Sequence, residues 1–582
     1  MKEPGAHSAN VAMAISRAMQ QAAMAYSRGE WAESERLCRQ ILAARGDYFD
    51  ALNLLGIITA QTRRAEEAAR LLARVVDANP GHAIAHNNYG NVLKELKRFD
   101  DALQSYERAL KLKPDYADAL NNRGNALKEL KRLDEAVASY EQALALRPDY
   151  LEAHINRGNV LQALKRFDEA LASYERALVL KPDHPESLNN RGKALEELKR
   201  FDEALASYEQ ALALRPDYID SLINRGNVLQ ALKRFDEALA CYDRALALRP
   251  EHAEAFNNRG NALKELRRLD EAVASYERAL ALSPDYAEAF YNRGNTLQEL
   301  KRLDEAAASY ERALALKPTL FGASAFERLG SLLYQLGRAD QAAGVYRRWL
   351  ELEPANAEAQ HMYAAATREE VPQRASAQYV SAVFDRFADS FDATLERLDY
   401  AAPRLLYEAL SQRVDCGRGG LVVLDVGCGT GLCGVLLRAS AKFLAGVDLS
   451  SQMLARARAR NLYDELFEGE LCAFMASRPE EFDLVICADT LVYFGALDEP
   501  VAAARRCLRR KGAFAFTVEA LPEATSTPFR INAHGRYAHA GAYLRDTMES
   551  SGFSAVQCRP VVLRKEFGDD VTGYLVIGSA PT

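Results

Sequence analysis

Residues 424–431 read Leu-Asp-Val-Gly-Cys-Gly-Thr-Gly, and Asp448 closes the next apolar run 17 residues after Gly431. Three glycines spaced two apart suit a tight turn, because glycine accepts positive φ and lets a ligand approach the backbone. A helix starting at such a turn presents free N–H groups to a carboxylate or phosphate. Leu421 to Val426 is a continuous apolar run with one acid, Asp425, near its end. That is the pattern of a buried parallel strand. A second run, 443–447, ends at Asp448. A carboxylate at the tip of a second strand can accept from both hydroxyls of an adenosine ribose. Together these residues describe nucleotide chemistry.

Residues 429–434, Gly-Thr-Gly-Leu-Cys-Gly, also satisfy the dinucleotide pattern G-x-G-x-x-G. Two features point elsewhere. Asp425 stands two residues before the first glycine, giving D-x-G-x-G-x-G, and some 45 residues of helical pattern precede the first strand. The stretch resembles the nucleotide loop of class I S-adenosylmethionine (SAM) methyltransferases. That resemblance implies SAM as cofactor, held by Asp425, Gly427, Gly429, Gly431 and Asp448. An NAD(P) enzyme is the competing reading, and binding of NADH in place of S-adenosylhomocysteine would establish it.

The flanking elements fit an α/β Rossmann-like domain. Tyr379, Val383, Phe387 and Phe391 fall on one helical face. This resembles the helical lid that covers SAM in many small-molecule-type methyltransferases; a core-facing amphipathic helix would carry the same residues. Strands are expected at 466–471, 482–488 and 513–518. A reversed C-terminal hairpin is expected from 561–565 and 573–577, turning through Gly568-Asp569-Asp570. The resemblance gives Glu470, near the end of the third strand, the adenine amino group, and it places Asp489 beside the methyl donor. Asp489 begins Asp-Thr-Leu-Val-Tyr-Phe. That is not the Asn-Pro-Pro-Tyr type, which argues against methylation of adenine N6 or a glutamine amide.

A methyl transfer needs a base only if the acceptor arrives protonated. The candidates are Asp489, Tyr493, His534 and His539; ordinary surface placement is the competing reading for each histidine. Arg530 and Arg536 are candidates to clamp a substrate carboxylate.

The 582 residues are 49% apolar and 27% charged, as in a globular protein. The net charge of −7 divides into −4 for residues 376–582 and −3 for the rest. Neither part is basic, so nonspecific nucleic-acid binding has no electrostatic basis. The nine cysteines (38, 241, 416, 428, 433, 472, 487, 507 and 558) form no C-x-x-C pair. A disulfide framework or a zinc site is not expected, and no metal ligand set is assigned. Cys428 and Cys433 read as small apolar packing residues rather than catalytic thiols. Residues 1–10 lack a signal-peptide pattern, and no run of 18 apolar residues offers a membrane span. A cytoplasmic protein is expected.

Ahead of the glycine loop lies a repeat. Gly56, Gly90, Gly124, Gly158, Gly192, Gly226, Gly260 and Gly294 are each 34 apart, and Gly330 follows after 36. An alanine follows each glycine by 12 (Ala102, Ala136, Ala170), from Gly90 onward a tyrosine stands four later (Tyr106, Tyr140, Tyr174), and a proline closes the unit (Pro114, Pro148, Pro182). Small residues belong where two helices cross closely; the aromatic fills the gap, and proline stops the second helix. The pattern resembles the tetratricopeptide repeat (TPR), about ten helix-turn-helix units over residues 15–358. The first unit departs from the pattern at Ala22, Ser34 and Gly46 and reads as a cap. Residues 155–174 and 223–242 differ only at Ser173 and Cys241.

Asn88, Asn122, Asn156, Asn190, Asn224, Asn258 and Asn292 each stand two places before a repeat glycine. The array resembles the asparagine ladder of O-GlcNAc transferases, which implies a concave peptide groove in which side-chain amides hold an extended backbone. The alternative is that these asparagines serve the repeat itself. The arginine that follows six of them (Arg123, Arg157, Arg191, Arg225, Arg259, Arg293) reads as structural, with a packed stem and a solvated head.

The whole chain resembles TPR-containing methyltransferases of bacteria. The expected organisation is an N-terminal tail (1–14), a TPR array (15–358), a capping helix and linker (359–378) and a SAM-dependent methyltransferase domain (379–582). The leading functional expectation is an enzyme whose array recruits a polypeptide partner or substrate. Two others stand beside it: a small-carboxylic-acid methyltransferase with the array used for docking, and a scaffold whose methyltransferase domain senses SAM or is inactive.

Overall fold

Helix follows helix along the first half of the chain because each repeat offers one apolar stripe per 3.6-residue period and a small residue at the crossing. The computed structural model describes residues 4–414, 419–522, 526–566 and 569–582; Cys416 and Gly568 lie outside the described residues. The chain divides into two units, 1–284 and 285–582.

Among its described residues the first unit holds sixteen helices, α1 (Pro4–Ser27) to α16 (Leu269–Leu282), joined by short turns. Helix α1 begins inside the stretch expected to be a tail. The glycines set the approach within each pair: a Cβ at Gly158 would stand 2.6 Å from Tyr174 Cε1. The tyrosines are wholly buried, and their hydroxyls donate to the asparagine after the glycine, as from Tyr106 to Asn91 and from Tyr140 to Asn125, both at 2.9 Å. Lys193 replaces that asparagine in one repeat, and Tyr208 donates to Glu196 instead, at 3.2 Å. The arginine heads are not left to solvent as expected. Arg123 and Arg157 donate to Ser139 and Ser173, each at 2.7 Å, and Arg225 to the Cys241 sulfur at 3.0 Å. A hydroxyl or thiol one helix away lies within reach of the fork, so the head is fixed.

The second unit opens with five repeat-type helices: α17 (Ala287–Glu299), α18 (Leu303–Leu316), α19 (Gly322–Gln335), α20 (Ala339–Leu352) and α21 (Ala357–Thr367). Next come α22 (Ala377–Phe387), α23 (Phe391–Arg397) and α24 (Ala402–Ser411). The single lid helix expected through Phe391 is thus two helices; the chain breaks at residues 388–390, and Phe391 belongs to the second.

The sheet comprises β1 (Leu421–Val426), β2 (Ala441–Asp448), β3 (Glu465–Glu468), β4 (Phe482–Cys487), β5 (Leu508–Ala520), β6 (Phe529–Ile531), β7 (Tyr537–His539), β8 (Ser554–Glu566) and β9 (Asp569–Ser579). Strands β3-β2-β1-β4-β5 are parallel, β9 runs antiparallel to β5, and β8 pairs with β9. The hairpin β6–β7 pairs with the end of β5. Apolar cores cover both faces of the sheet. The order reverses between β1 and β4, and in open α/β sheets the crevice at that switch point, beyond the carboxyl ends of the strands, receives ligands. Between strands lie α25 (Leu432–Leu437), α26 (Ser451–Ala459), α27 (Leu471–Ala476), α28 (Asp498–Cys507) and, before β8, α29 (Gly541–Ser550).

Residues 369–375 are strapped down rather than loose. Gly495 N donates to Gln373 O at 2.7 Å, Ala375 N to Tyr493 O at 2.8 Å, and Tyr537 Oη to Pro372 O at 2.6 Å. Among the described residues no helix is long and apolar enough to cross a membrane.

Candidate functional site

The turn after β1 is built from glycines in conformations other residues avoid. Gly427, Gly429 and Gly431 have φ of +68°, +53° and +91°. A Cβ on Gly427 would collide with the Thr490 side chain, while one on Gly431 would press on Tyr463. Asp448, at the tip of β2, ties this turn to its own strand. Its Oδ2 accepts from Gly429 N and its Oδ1 from Ser450 N, both at 2.9 Å. Burial pushes the Asp448 carboxyl up, against the backbone donors that hold it down.

Gly427, Gly429 and Asp448 line a cavity of about 550 Å³, within the range of small-molecule sites. Gly469, Leu471, Asp489 and Tyr493 line it from the sheet side. Val380, Val383, Phe384 and Phe387 of α22 and Phe391 of α23 line it from the lid. Phe384 meets Tyr493 edge-on, with centroids 5.5 Å apart. Ser324, Glu327 and Arg328 of the repeat helix α19 also face the cavity.

Asp425 and Gly431 are outside the lining. Asp425 is buried beneath the turn, where its Oδ2 accepts from Tyr463 Oη at 2.6 Å and its Oδ1 has no partner. Burial pushes its carboxyl up to about 7. Glu470 does not end a strand: β3 stops at Glu468, and Glu470 caps α27, accepting from Ala473 N at 2.8 Å. Its other oxygen meets Arg374 at 3.3 Å. The strand is short because Gly469 and Glu470 supply a turn and an N-cap.

Asp489 has φ +53°, a strained value outside glycine. Thr517 fixes it twice: Thr517 Oγ1 accepts from Asp489 N and donates to Asp489 Oδ1, both at 2.9 Å. Arg564 holds the other oxygen at 2.6 Å. Burial pushes the Asp489 carboxyl up, opposed by Arg564. Burial also raises the Tyr493 phenol, so it stays protonated.

Arg564 and Arg536 share two acids, Glu519 and Glu566. Arg564 also pairs with Glu519 and, at 2.8 Å, with Glu566. Arg536 donates to Glu519 at 2.7 Å and to Glu566 at 2.6 Å. Glu519 is buried, yet Arg536, His534 and Arg564 hold its carboxyl down at about 2. Arg536 lines the cavity with its guanidinium committed to these acids, whereas Arg530 lies on β6 outside the lining. His534 stands 3.4 Å from Glu519, and burial lowers its pKa to about 4. His539 is fully buried on β7, with Nε2 3.1 Å from Gly495 O and its pKa also lowered to about 4. Neither histidine lines the cavity, and His539 is not on the surface. Sequence reasoning missed Glu519, Arg564 and Glu566. The signal was a lone charge closing the apolar run of β5, with two more in the facing hairpin.

In the first unit the ladder asparagines bond across repeats. Asn122, Asn156 and Asn224 donate to Asn87, Asn121 and Asn189 at 3.0–3.1 Å, while Asn190 and Asn258 donate to Asn159 and Asn227 at 3.0 Å. Each of these amides commits one N–H to the array. Asn88 is half-buried on α5 (Ala83–Glu95) and Asn292 on α17.

The family model described as a methyltransferase domain matches residues 423–512. Models of the tetratricopeptide repeat match at intervals from residue 20 to residue 320. Human methyltransferase-like protein 27 is 37% identical over 113 residues, 19% of this chain and 45% of that protein. The ubiquinone biosynthesis O-methyltransferase of Azoarcus sp. (strain BH72) is 33% identical over 109 residues, 18% of this chain and 46% of that protein. The chain thus spans less than half the length of these relatives. Among solved structures, YrrB, described as a TPR protein with an unusual peptide-binding site, aligns at 24% identity with a TM-score of 0.29, covering 32% of this chain and 96% of its own.

Proposed function

We propose, for a chain that joins a methyltransferase domain to an array of tetratricopeptide repeats, that it transfers a methyl group from SAM and that the repeats recruit a polypeptide which is, or carries, the acceptor. The observation that carries this reading is Asp448. Its carboxylate stands at the tip of β2, braces the glycine turn and lines the cavity at the switch point.

The residues present fit the nucleoside. Asp448 is placed to accept from ribose hydroxyls, and Gly427 and Gly429 let the backbone approach. Bound SAM supplies a sulfonium methyl already activated for displacement. The chain's task is then alignment and exclusion of water, and alignment alone accounts for much of such an acceleration. Val383, Phe384, Phe387 and Phe391 keep the cavity dry. Tyr493, held protonated by burial, donates a hydrogen bond to the acceptor. Asp489 has both oxygens occupied by Thr517 and Arg564, so it orients an acceptor rather than taking its proton. An acceptor that arrives deprotonated suits this site.

For the array, Asn122, Asn156, Asn190, Asn224 and Asn258 each keep a second amide N–H after the bond to the neighbouring repeat. These five amides of the first unit are the groups that would hold a peptide backbone.

The test is transfer of tritiated methyl from SAM, with purified full-length protein and a cell extract. Label in acid-precipitated protein, lost with Asp448→Ala, supports a recruited polypeptide as acceptor. Label confined to the soluble fraction assigns a small acceptor and removes that part of the reading. No label in either fraction overturns the reading.

A further inference from the structure

Helix α22 buries one side chain, Tyr379, and spends its other large apolar residues, Val380, Val383, Phe384 and Phe387, on the cavity. An element with so little packing is held by its polar anchors. It has two sets. Toward the sheet, Asp385 accepts from Ser450 Oγ at 2.6 Å and Gln452 N at 3.3 Å, and Ser450 N is the donor that Asp448 holds. The next residue, Arg386, points the other way. It donates to both oxygens of Glu358 in α21, each at 2.8 Å, with Glu327 of α19 at 3.8 Å. Glu358 is buried. Beside it, Tyr379 stacks on His361 of α21 with centroids 4.2 Å apart, and His361 Nε2 lies 2.8 Å from Gly535 O.

The repeat register makes this contact notable. Arg328 and Glu327 stand two and three places before Gly330, and Arg328 thus holds the place that Asn292 holds before Gly294. The ladder face of α19 therefore meets α22 and the cavity, not an open groove.

We propose that Glu358, a residue of the repeat array, is a positioning residue for the methyl-donor site: through Arg386 it holds α22 over the cavity, so that seating of the lid on the last repeats and binding of the donor are one linked equilibrium. The proposal rests on the reading of the cavity as a SAM site. A buried carboxylate that loses its guanidinium is strongly destabilised, so the pair forms or breaks as a unit. Anything that pulls α21 from α22 lowers donor affinity, and bound donor tightens the α21–α22 contact by the same factor.

The experiment is calorimetric titration of S-adenosylhomocysteine into full-length wild type, Glu358→Gln, Arg386→Gln and the charge-keeping Glu358→Asp, with hydrogen exchange followed over residues 377–387. The expected result is at least tenfold weaker binding for both glutamine variants, partial recovery in Glu358→Asp, and faster exchange of α22 even without ligand. Because two variants reach the same contact from opposite partners, a misfolded one leaves the other to decide. Binding within twofold of wild type in a folded variant, with unchanged exchange, overturns the proposal alone. Failure of the wild type to bind overturns both this proposal and the donor-site reading.

Discussion

Asp448 Oδ2 accepts the backbone N–H of Gly429 at 2.9 Å, so the acid that ends β2 also shapes the turn that ends β1. One carboxylate thereby sets the turn and faces the cavity. Asp448→Asn keeps the shape but turns one acceptor into a donor aimed at a backbone N–H. It is expected to weaken S-adenosylhomocysteine binding by about tenfold, and Asp448→Ala by about a hundredfold, the scale of one and two charge-assisted hydrogen bonds. Calorimetry on both variants checks the ranking.

The Asp425 carboxyl, pushed up to about 7 by burial, gives a pH signature. Its folded-state pKa exceeds the unfolded value, so between the two the folded chain holds a proton that the unfolded chain has lost. The resulting stability is complete below about pH 4 and disappears as pH rises through about 7. Wild type is expected to lose on the order of 4 kcal/mol across that window relative to Asp425→Asn. Urea unfolding of both proteins at pH 5 and 8 measures it; parallel profiles would remove Asp425 as the source.

Arg564 bridges Asp489, Glu519 and Glu566 from a nearly buried position. Arg564→Met leaves the buried Asp489 carboxylate without its guanidinium, and a loss of about 3–5 kcal/mol is expected. Arg564→Lys keeps the charge but not the fork and should lose less. Chemical denaturation gives both values, and equal losses would show that the fork geometry does not matter.

In the repeats, a Cβ at Gly158 would stand 2.6 Å from Tyr174 Cε1. Gly158→Ala is expected to destabilise the first unit by about 1–3 kcal/mol through overpacking. Adding Tyr174→Leu should recover part of that loss, and an additive double mutant would deny the contact.

The strands and the glycine turn were legible because their signals are local. Leu421–Val426 is a strand at the expected bounds, and the tip position of Asp448 follows from an apolar run ending in an acid. Glu470 was misplaced because capping depends on a turn at Gly469 that an apolar run of residues does not reveal. The Arg564 cluster was not legible, since it joins β5, β8 and the β6–β7 hairpin across some 75 residues from Asp489. The clamp from Glu358 to Arg386 was hidden for the same reason: pairing across separate elements leaves no periodicity. The 34-residue period gave the helix pairs, and the arginine heads resolved only once each facing serine was placed.

The most direct test of the donor site is a side-by-side calorimetric titration of the full-length protein with S-adenosylhomocysteine and with NADH. Saturable binding of S-adenosylhomocysteine, lost in Asp448→Ala, and none of NADH is the expected result. Saturable binding of NADH with none of S-adenosylhomocysteine would contradict the account and make the glycine turn a dinucleotide site.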